Sequence, residues 1–301
     1  MMDTVLVTGS GGQLGRALRA AGKAVGGSRF IFSDLTCTGD EETLCLDITD
    51  EQAVGMVCRS EKVNVIVNCA AYTDVAAAEK DTYLADLVNN KAAAGLARVA
   101  ASCGASLIHI STDYVFDGKS SLPYGEDASP APLNVYGATK LLGEVAITNS
   151  GCRYLIVRTA WLYSLWGRNF YRTVSALSAS RPYLTMVSDQ VGSPTYAPDL
   201  AAFICRVLSG GPFKPGIVNY SGAGVASWYD FACGIIRLRS ELLGAPSCDV
   251  KPCSSDDYPA GVRRPAYSVL DKSKAARDFG AVVPHWYDSL RRCVLDEKSA
   301  L

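Results

Sequence analysis

"TVLVTGSGGQLGRAL", residues 4–18, runs from an apolar, β-branched strand straight into a glycine cluster and then into a helix-forming segment. Val5, Leu6 and Val7 show no polar alternation, which predicts a strand buried on both faces, as in a parallel sheet. Gly9, Gly12 and Gly15 then stand at the strand's exit and the helix's mouth, spaced GxxGxxG. Glycines at these places let the backbone turn tightly and approach a pyrophosphate, whose charge rests on the free amides of the helix N-terminus. A glycine triplet alone is compatible with a plain strand-to-helix turn. Strand before and helix after favour a dinucleotide site, with Gln13 and Leu14 in the same turn.

The rhythm continues outward. "RFIFSD" (29–34), "VNVIVNCAA" (63–71), "ASLIHIST" (105–112) and "RYLIVRTAW" (153–161) each read as buried parallel strands. Helices are expected between them at about 12–22, 50–60, 81–103 and 134–149. This alternation predicts an α/β fold, a doubly wound parallel sheet of the Rossmann kind. After Trp161 prolines punctuate shorter elements, which predicts a smaller C-terminal substrate-binding lobe. Residues 1–160 are expected to form the dinucleotide-binding domain and 161–301 mainly the lobe, with elements crossing back.

Bulk properties narrow the function class. In 301 residues, 29 lysines and arginines nearly cancel 30 aspartates and glutamates, and no block of like charge appears. That excludes an electrostatic footprint for nucleic acid or an anionic membrane, and leaves a small molecule as the partner. The start, "MMDTVLVTGSGG", has neither a basic n-region nor a cleavable apolar stretch, and the longest apolar run is broken by Asn64 and Asn68. A soluble cytoplasmic protein is expected. Eleven cysteines are scattered without a CxxC, and only His109 and His285 are at hand to complete a zinc set. Reduced, mostly buried thiols and no metal are therefore expected.

Several side chains fall where ligands bind in doubly wound folds. Asp34 closes the second strand, where a carboxylate accepts hydrogen bonds from ribose hydroxyls; a turn cap is its plain alternative. Asp47 and Ile48, in "LDITD", are placed to flank an adenine, although Asp50 equally suits a helix cap. In "NCAAYTDV" the small Ala70 and Ala71, with Tyr72 beside them, would let the nicotinamide ribose and phosphates pass close to the backbone. The strand "SLIHISTDYVFDG" ends on Ser111, Thr112 and Asp113, at the carboxyl edge of the sheet. Tyr136 and Lys140 follow four positions apart in "NVYGATKLLGE", so both leave the same helix face.

A glycine-rich first turn, a hydroxyl at a strand end and a helical Tyr-x-x-x-Lys together resemble the extended branch of the short-chain dehydrogenase/reductase superfamily, which acts on nucleotide sugars. "ISTDYVFDG", "RTAWLYSLWGRNF", "SDQVGSPTYAPDLA" and "RRPAYSVLD" narrow the resemblance, along almost the whole chain, to the dTDP-4-dehydrorhamnose reductase family. The resemblance implies reduction of dTDP-4-dehydro-L-rhamnose to dTDP-L-rhamnose, with Tyr136 as general acid. Lys140 would tune the phenol and anchor a ribose, and Thr112 would hold the substrate carbonyl. It further implies that Trp161 packs on the sugar with Asp113 and Phe116 in the same pocket. Asn169, Gln190, Arg264 and Pro265 would follow the nucleotide diphosphate. Core packing is the plain alternative for the two aromatics, and a solvated surface position for Arg264.

The family's usual reductant is NADPH, yet Asp34 would repel a 2′-phosphate and no arginine follows the second strand, although Ser10 and Arg16 are near enough to reach one. NADPH is expected by resemblance, with NADH as the alternative from the residues. Some members carry glutamates that bind magnesium and bridge a homodimer. Here Arg16 and Ala17, and then Tyr196, Ala197 and Pro198, occupy those places, so a monomer or a metal-independent homodimer is expected. Rival functions are a nucleotide-sugar epimerase of the same branch and, of another class, a non-catalytic regulatory subunit like the β subunit of methionine adenosyltransferase. A dehydratase fits worse, because no glutamate follows Asp113.

Overall fold

The computed structural model describes residues 3–22, 28–37, 42–258 and 261–300. Six strands from the first half, β1 (Asp3–Thr8), β2 (Ser28–Asp34), β3 (Thr43–Cys45), β4 (Val65–Asn68), β5 (Ser106–Thr112) and β6 (Arg153–Thr159), lie parallel in the order β3-β2-β1-β4-β5-β6. Helices α1 (Gln13–Gly22), α2 (Glu51–Ser60), α3 (Val75–Ala78), α4 (Thr82–Asp86), α5 (Ala92–Cys103) and α6 (Val135–Thr148) connect them. The order reverses between β1 and β4, which opens the ligand crevice at the carboxyl ends of those two strands.

Two apolar layers hold the sheet. On one face Val5, Val7, Val65 and Val67 pack with Leu14 and Leu18 of α1; on the other Leu6 and Ile66 pack with Leu96 and Val99 of α5. The helix expected over 81–103 is one run interrupted by a π-helical turn at Leu87–Lys91. The cause is Asn89, turned inward, whose amide donates to Tyr72 O (3.1 Å) and Thr139 Oγ1 (3.2 Å) and accepts from Tyr72 N–H (2.9 Å). An inserted residue of this kind is a common way to aim one side chain out of helical register.

The second half forms the lobe and also completes the sheet. The lobe opens with four short strands, β7 (Leu162–Tyr163), β8 (Tyr183–Val187), β9 (Val191–Gly192) and β10 (Thr195–Tyr196), of which β7 and β10 pair with each other. Next come α7 (Phe170–Ser178) and α8 (Ala197–Ser209), and α8 lies back against α1. Then β11 (Gly216–Asn219) adds to the free edge of β6, pairing Gly216 with Leu155 and Asn219 with Arg158. The lobe closes with β12 (Ala226–Ser227), α9 (Trp228–Leu243), β13 (Asp249–Cys253) and, after α10 (Ser273–Phe279), which packs back on the sheet's own core through Ala275, α11 (Trp286–Ala300), around Phe231, Ile235 and Leu290. Among the described residues no helix is long and apolar enough to cross a membrane.

One expectation needs correction. Cys37 and Cys45 are joined in a disulfide, their Cα atoms 5.6 Å apart, while the other nine cysteines are free thiols. The sheet brings them together: β2 and β3 run in register, Asp34 opposite Cys45, so the chain leaving β2 passes beside β3.

Candidate active site

Gly9 has φ +68°, and a Cβ there would lie 2.6 Å from Ala70 N, so only glycine lets the turn press on the exit of β4. A Cβ on Gly15 would meet Gly9 O at 2.4 Å, which fixes the approach of α1. Gly12 N–H closes the turn on Gly9 O at 3.1 Å. Ser10 Oγ is buried in this turn without a partner. Asp34 reaches across it, its Oδ2 accepting Gly11 N–H at 2.8 Å. A glycine cradle, an orphaned hydroxyl and a carboxylate at the ribose end fit a nicotinamide dinucleotide.

Other expected cofactor residues divide. Ala70 lies against Gly9, and Tyr72 is held by Asn89. Asp47 turns inward on its own loop, Oδ1 accepting from Thr49 N–H and Oγ1, both at 2.8 Å. The Ile48 side chain packs into the core beneath the sheet. The side chain of Leu14 likewise belongs to the core, so only its backbone stands at the turn. Gln13 points away from the crevice toward the lobe, where its Oε1 accepts from Ser164 Oγ and Asn169 Nδ2, both at 2.9 Å.

At the edge of β5 the chemistry converges. Thr112 Oγ1 donates to Asp113 Oδ1 at 3.0 Å and accepts Tyr114 N–H at 3.1 Å. Tyr136, the second residue of α6, lies beside the Thr112 side chain and meets the Tyr114 ring edge-on at 5.6 Å. Burial raises the Tyr136 phenol to about 12, against the pull of Thr112. Asp113 is raised to about 6, again chiefly by burial, and its Oδ2 accepts no hydrogen bond. Lys140 behaves differently from expectation: its Nζ is held by β5, donating to Ile110 O at 2.7 Å and facing His109 Nε2 at 3.2 Å. Burial lowers it to about 8.

The position of α6 is set below the site. Asn134 caps it, accepting Gly137 N–H at 2.8 Å, and a Cβ on Gly137 would fall 2.2 Å from Tyr114 O. Further along, Glu144 forms a buried pair with Arg158 of β6 (2.6 Å) and accepts Ser111 Oγ–H at 2.5 Å.

On the lobe side, Trp161 (φ +48°) stacks on Trp228 with ring centroids 3.5 Å apart and planes within 3°. Trp228 Nε1 donates to Gln190 Oε1 at 3.2 Å, and Gln190 Nε2 to Ser255 Oγ at 2.9 Å. Arg264 and Pro265 lie on a strap that runs back over α6, where Arg263 O accepts Asn134 Nδ2–H at 3.0 Å. Arg264 Nε is buried without a partner, and Pro265 backs onto Gly118. Two expectations fail here. Phe116 is 0 % exposed, stacked on Tyr124 at 4.3 Å in the core, so it lines no pocket. Asn169 spends its side chain capping α7 at Arg172 N–H (3.1 Å) and binding Gln13, Ser164 O and Trp166 O. It clasps the lobe to the glycine turn and has nothing left for a diphosphate.

Sequence inspection missed Trp228, Asn68 and the use of His109. Trp228 belongs to no motif. Asn68 and His109 did carry a signal, since polar side chains inside apolar central strands need partners.

The whole chain has relatives. A family model described as the RmlD substrate binding domain matches residues 2–299. A dTDP-4-dehydrorhamnose reductase from Burkholderia thailandensis is 37% identical over 97% of this chain and 98% of its own length. A dTDP-4-keto-6-deoxy-D-glucose reductase from Streptomyces niveus is 39% identical over 96% of each chain. The crystal structure of a dTDP-4-dehydrorhamnose reductase from Bacillus anthracis in complex with NADP, 33% identical, superimposes with a TM-score of 0.87 over 98% of this chain and 100% of that one. The glycine cradle, the Thr112–Tyr136 pair and the Trp161 lobe thus sit on a scaffold shared from end to end, and this chain belongs to the RmlD substrate binding domain family.

Proposed function

We propose that the chain reduces a dTDP-4-keto-6-deoxy sugar at C4, with dTDP-4-dehydro-L-rhamnose as substrate, dTDP-L-rhamnose as product and NADPH as reductant. The observation that carries this is the half-buried Tyr136 set beside the buried Thr112 at the carboxyl edge of β5. When bound, the dinucleotide supplies a hydride. The chain's own part is to hold the carbonyl and deliver a proton. Thr112 Oγ–H, which otherwise donates to Asp113 Oδ1, turns its hydrogen bond to the C4 oxygen. Tyr136, raised to about 12, keeps its phenolic proton at neutral pH and arrives as a donor for the nascent alkoxide. Asp113 Oδ2, unpartnered, suits a sugar hydroxyl. The Trp161–Trp228 stack offers the sugar an apolar floor, and Arg264 Nε a donor for diphosphate oxygen.

In this proposal residues 1–160 bind the dinucleotide, and 161–301 supply most of the sugar-nucleotide lobe. The chain acts in the cytoplasm as a monomer or as a homodimer that needs no metal. A second substrate, dTDP-4-keto-6-deoxy-D-glucose, is favoured by the identity to the Streptomyces niveus enzyme.

The test is NADPH oxidation with each of the two 4-keto sugars, followed by identification of the product. Tyr136→Phe keeps the ring and deletes the donor, so kcat should fall by on the order of a hundredfold or more with cofactor binding unchanged. Near-normal turnover by that variant would remove Tyr136 from the proton step.

A further inference from the structure

Thr8, Asn68, His109 and Lys140 form one buried hydrogen-bonded chain beneath the catalytic edge. Asn68 Oδ1 accepts from Thr8 Oγ1 at 2.8 Å and from Ala70 N–H at 3.1 Å. Both are donors, so the amide orientation is fixed and its Nδ2 must face His109 Nδ1, at 3.0 Å. A donor at Nδ1 requires a lone pair there, which leaves the proton of the neutral imidazole on Nε2. Burial keeps His109 well below its ordinary value, so the ring is neutral. Its Nε2–H points at Lys140 Nζ, 3.2 Å away, while Nζ donates to Ile110 O at 2.7 Å. An ammonium has three donors and no lone pair, and cannot accept that hydrogen bond; a free amine can.

We propose that His109, locked in one tautomer by Asn68, is a positioning residue for the reduction: its Nε2–H, which only a free amine can accept, favours the uncharged form of Lys140 and so sets the pH at which Lys140 gains its charge. The groups facing Lys140 agree. From β5 come His109 and the Ile110 carbonyl. From the end of β4 comes Cys69, whose thiol burial raises to about 12 and so keeps uncharged. On α6 itself, Glu144 favours the charged form, but its carboxylate is taken up by Arg158 and Ser111. Tyr136 on the same helix is protonated at neutral pH. The device sets the pH at which a charge appears one helical turn from the proton donor. With a carboxamide at position 68 the amine is favoured. With a carboxylate there, Nδ1 would carry the proton and Nε2 would turn a lone pair toward an ammonium.

This inference rests on the reductase proposal only for the effect on turnover. The primary test is therefore a titration of the unaltered chain: 13Cε-lysine NMR, with Lys140 assigned by Lys140→Met. A Lys140 resonance titrating near 8 supports the inference, and an ordinary value near 10.5 overturns it, whether or not any sugar is reduced. His109→Leu removes the donor and should raise the Lys140 midpoint by a unit or more, a tenfold change in its acid constant. The same displacement should appear in the pH profile of kcat/KM. His109→Gln, which again offers an acceptor to Asn68 and a donor to Lys140, should restore the profile to within about half a unit. If His109→Leu lowers the melting temperature but leaves both the Lys140 midpoint and the pH profile in place, His109 is merely structural.

Discussion

Asp34 caps the glycine turn, and we propose that the same carboxylate also selects the cofactor. Its Oδ2 holds the Gly11 amide and its Oδ1 lies 3.4 Å from Thr36 N, so a capping role is visible in the structure. The same group stands at the ribose end of the glycine turn. There a carboxylate favours a 2′-hydroxyl by about 1.5–3 kcal/mol and opposes a 2′-phosphate. Asp34→Asn should shift the kcat/KM ratio toward NADPH over NADH by roughly tenfold or more, with kcat on the preferred cofactor little changed. Steady-state kinetics with both cofactors decide it. An unchanged ratio leaves Asp34 as a cap alone. Residue by residue, the sequence placed side chains well where a motif fixes spacing, as at Thr112 on the end of β5 and Tyr136 at the start of α6. It misled where one residue type serves two ends. A phenylalanine after Asp113 is equally suited to a pocket and to a core, and only the Tyr124 ring against Phe116 decides for the core.

At the scale of elements, α6 carries the proposed proton donor, and its anchor is the buried Glu144–Arg158 pair. Arg158 also reaches Glu126 O at 3.1 Å, and Glu126 Oε1 accepts Asn219 N–H at 2.9 Å, so β6, α6 and β11 share one polar knot. Removing one partner from a buried pair leaves an uncompensated charge, at a cost of about 3–5 kcal/mol. Glu144→Ala should lose that much in chemical denaturation, whereas Glu144→Leu combined with Arg158→Met should regain part of the loss. A loss under about 1 kcal/mol in the single variant would mean that solvent reaches the pair. The helices of the first half and five of its six strands were legible because each has an apolar period; the short edge strand β3 was not. The π turn at Leu87–Lys91 was not, because its cause is a tertiary bond from Asn89 to Tyr72 and Thr139. The Cys37–Cys45 disulfide was equally hidden, since cysteine spacing does not reveal which strands lie side by side.

Across the whole molecule, lobe and sheet are joined by contacts that no local pattern announces. The clasp of Asn169 on Gln13 ties the start of α1, beside the glycine turn, to α7 of the lobe. Asn169→Ala removes a helix cap, typically about 1 kcal/mol, together with the clasp. It should lower the melting temperature and also weaken NADPH binding several-fold, as measured by calorimetry; loss of stability with unchanged affinity would confine Asn169 to capping. The sheet itself is completed from the far half, because β11 covers the edge of β6 and α8 covers α1. That arrangement has a consequence for how the chain is made. While the ribosome has released only the first half, β6 presents a row of unpaired amides and carbonyls, and the apolar face of α1 has no cover. An open parallel edge of this kind invites pairing with a neighbouring nascent chain. The interval between synthesis of Thr159 and of Asn219 is therefore when the protein is most exposed to aggregation, and when a chaperone would have most to shield.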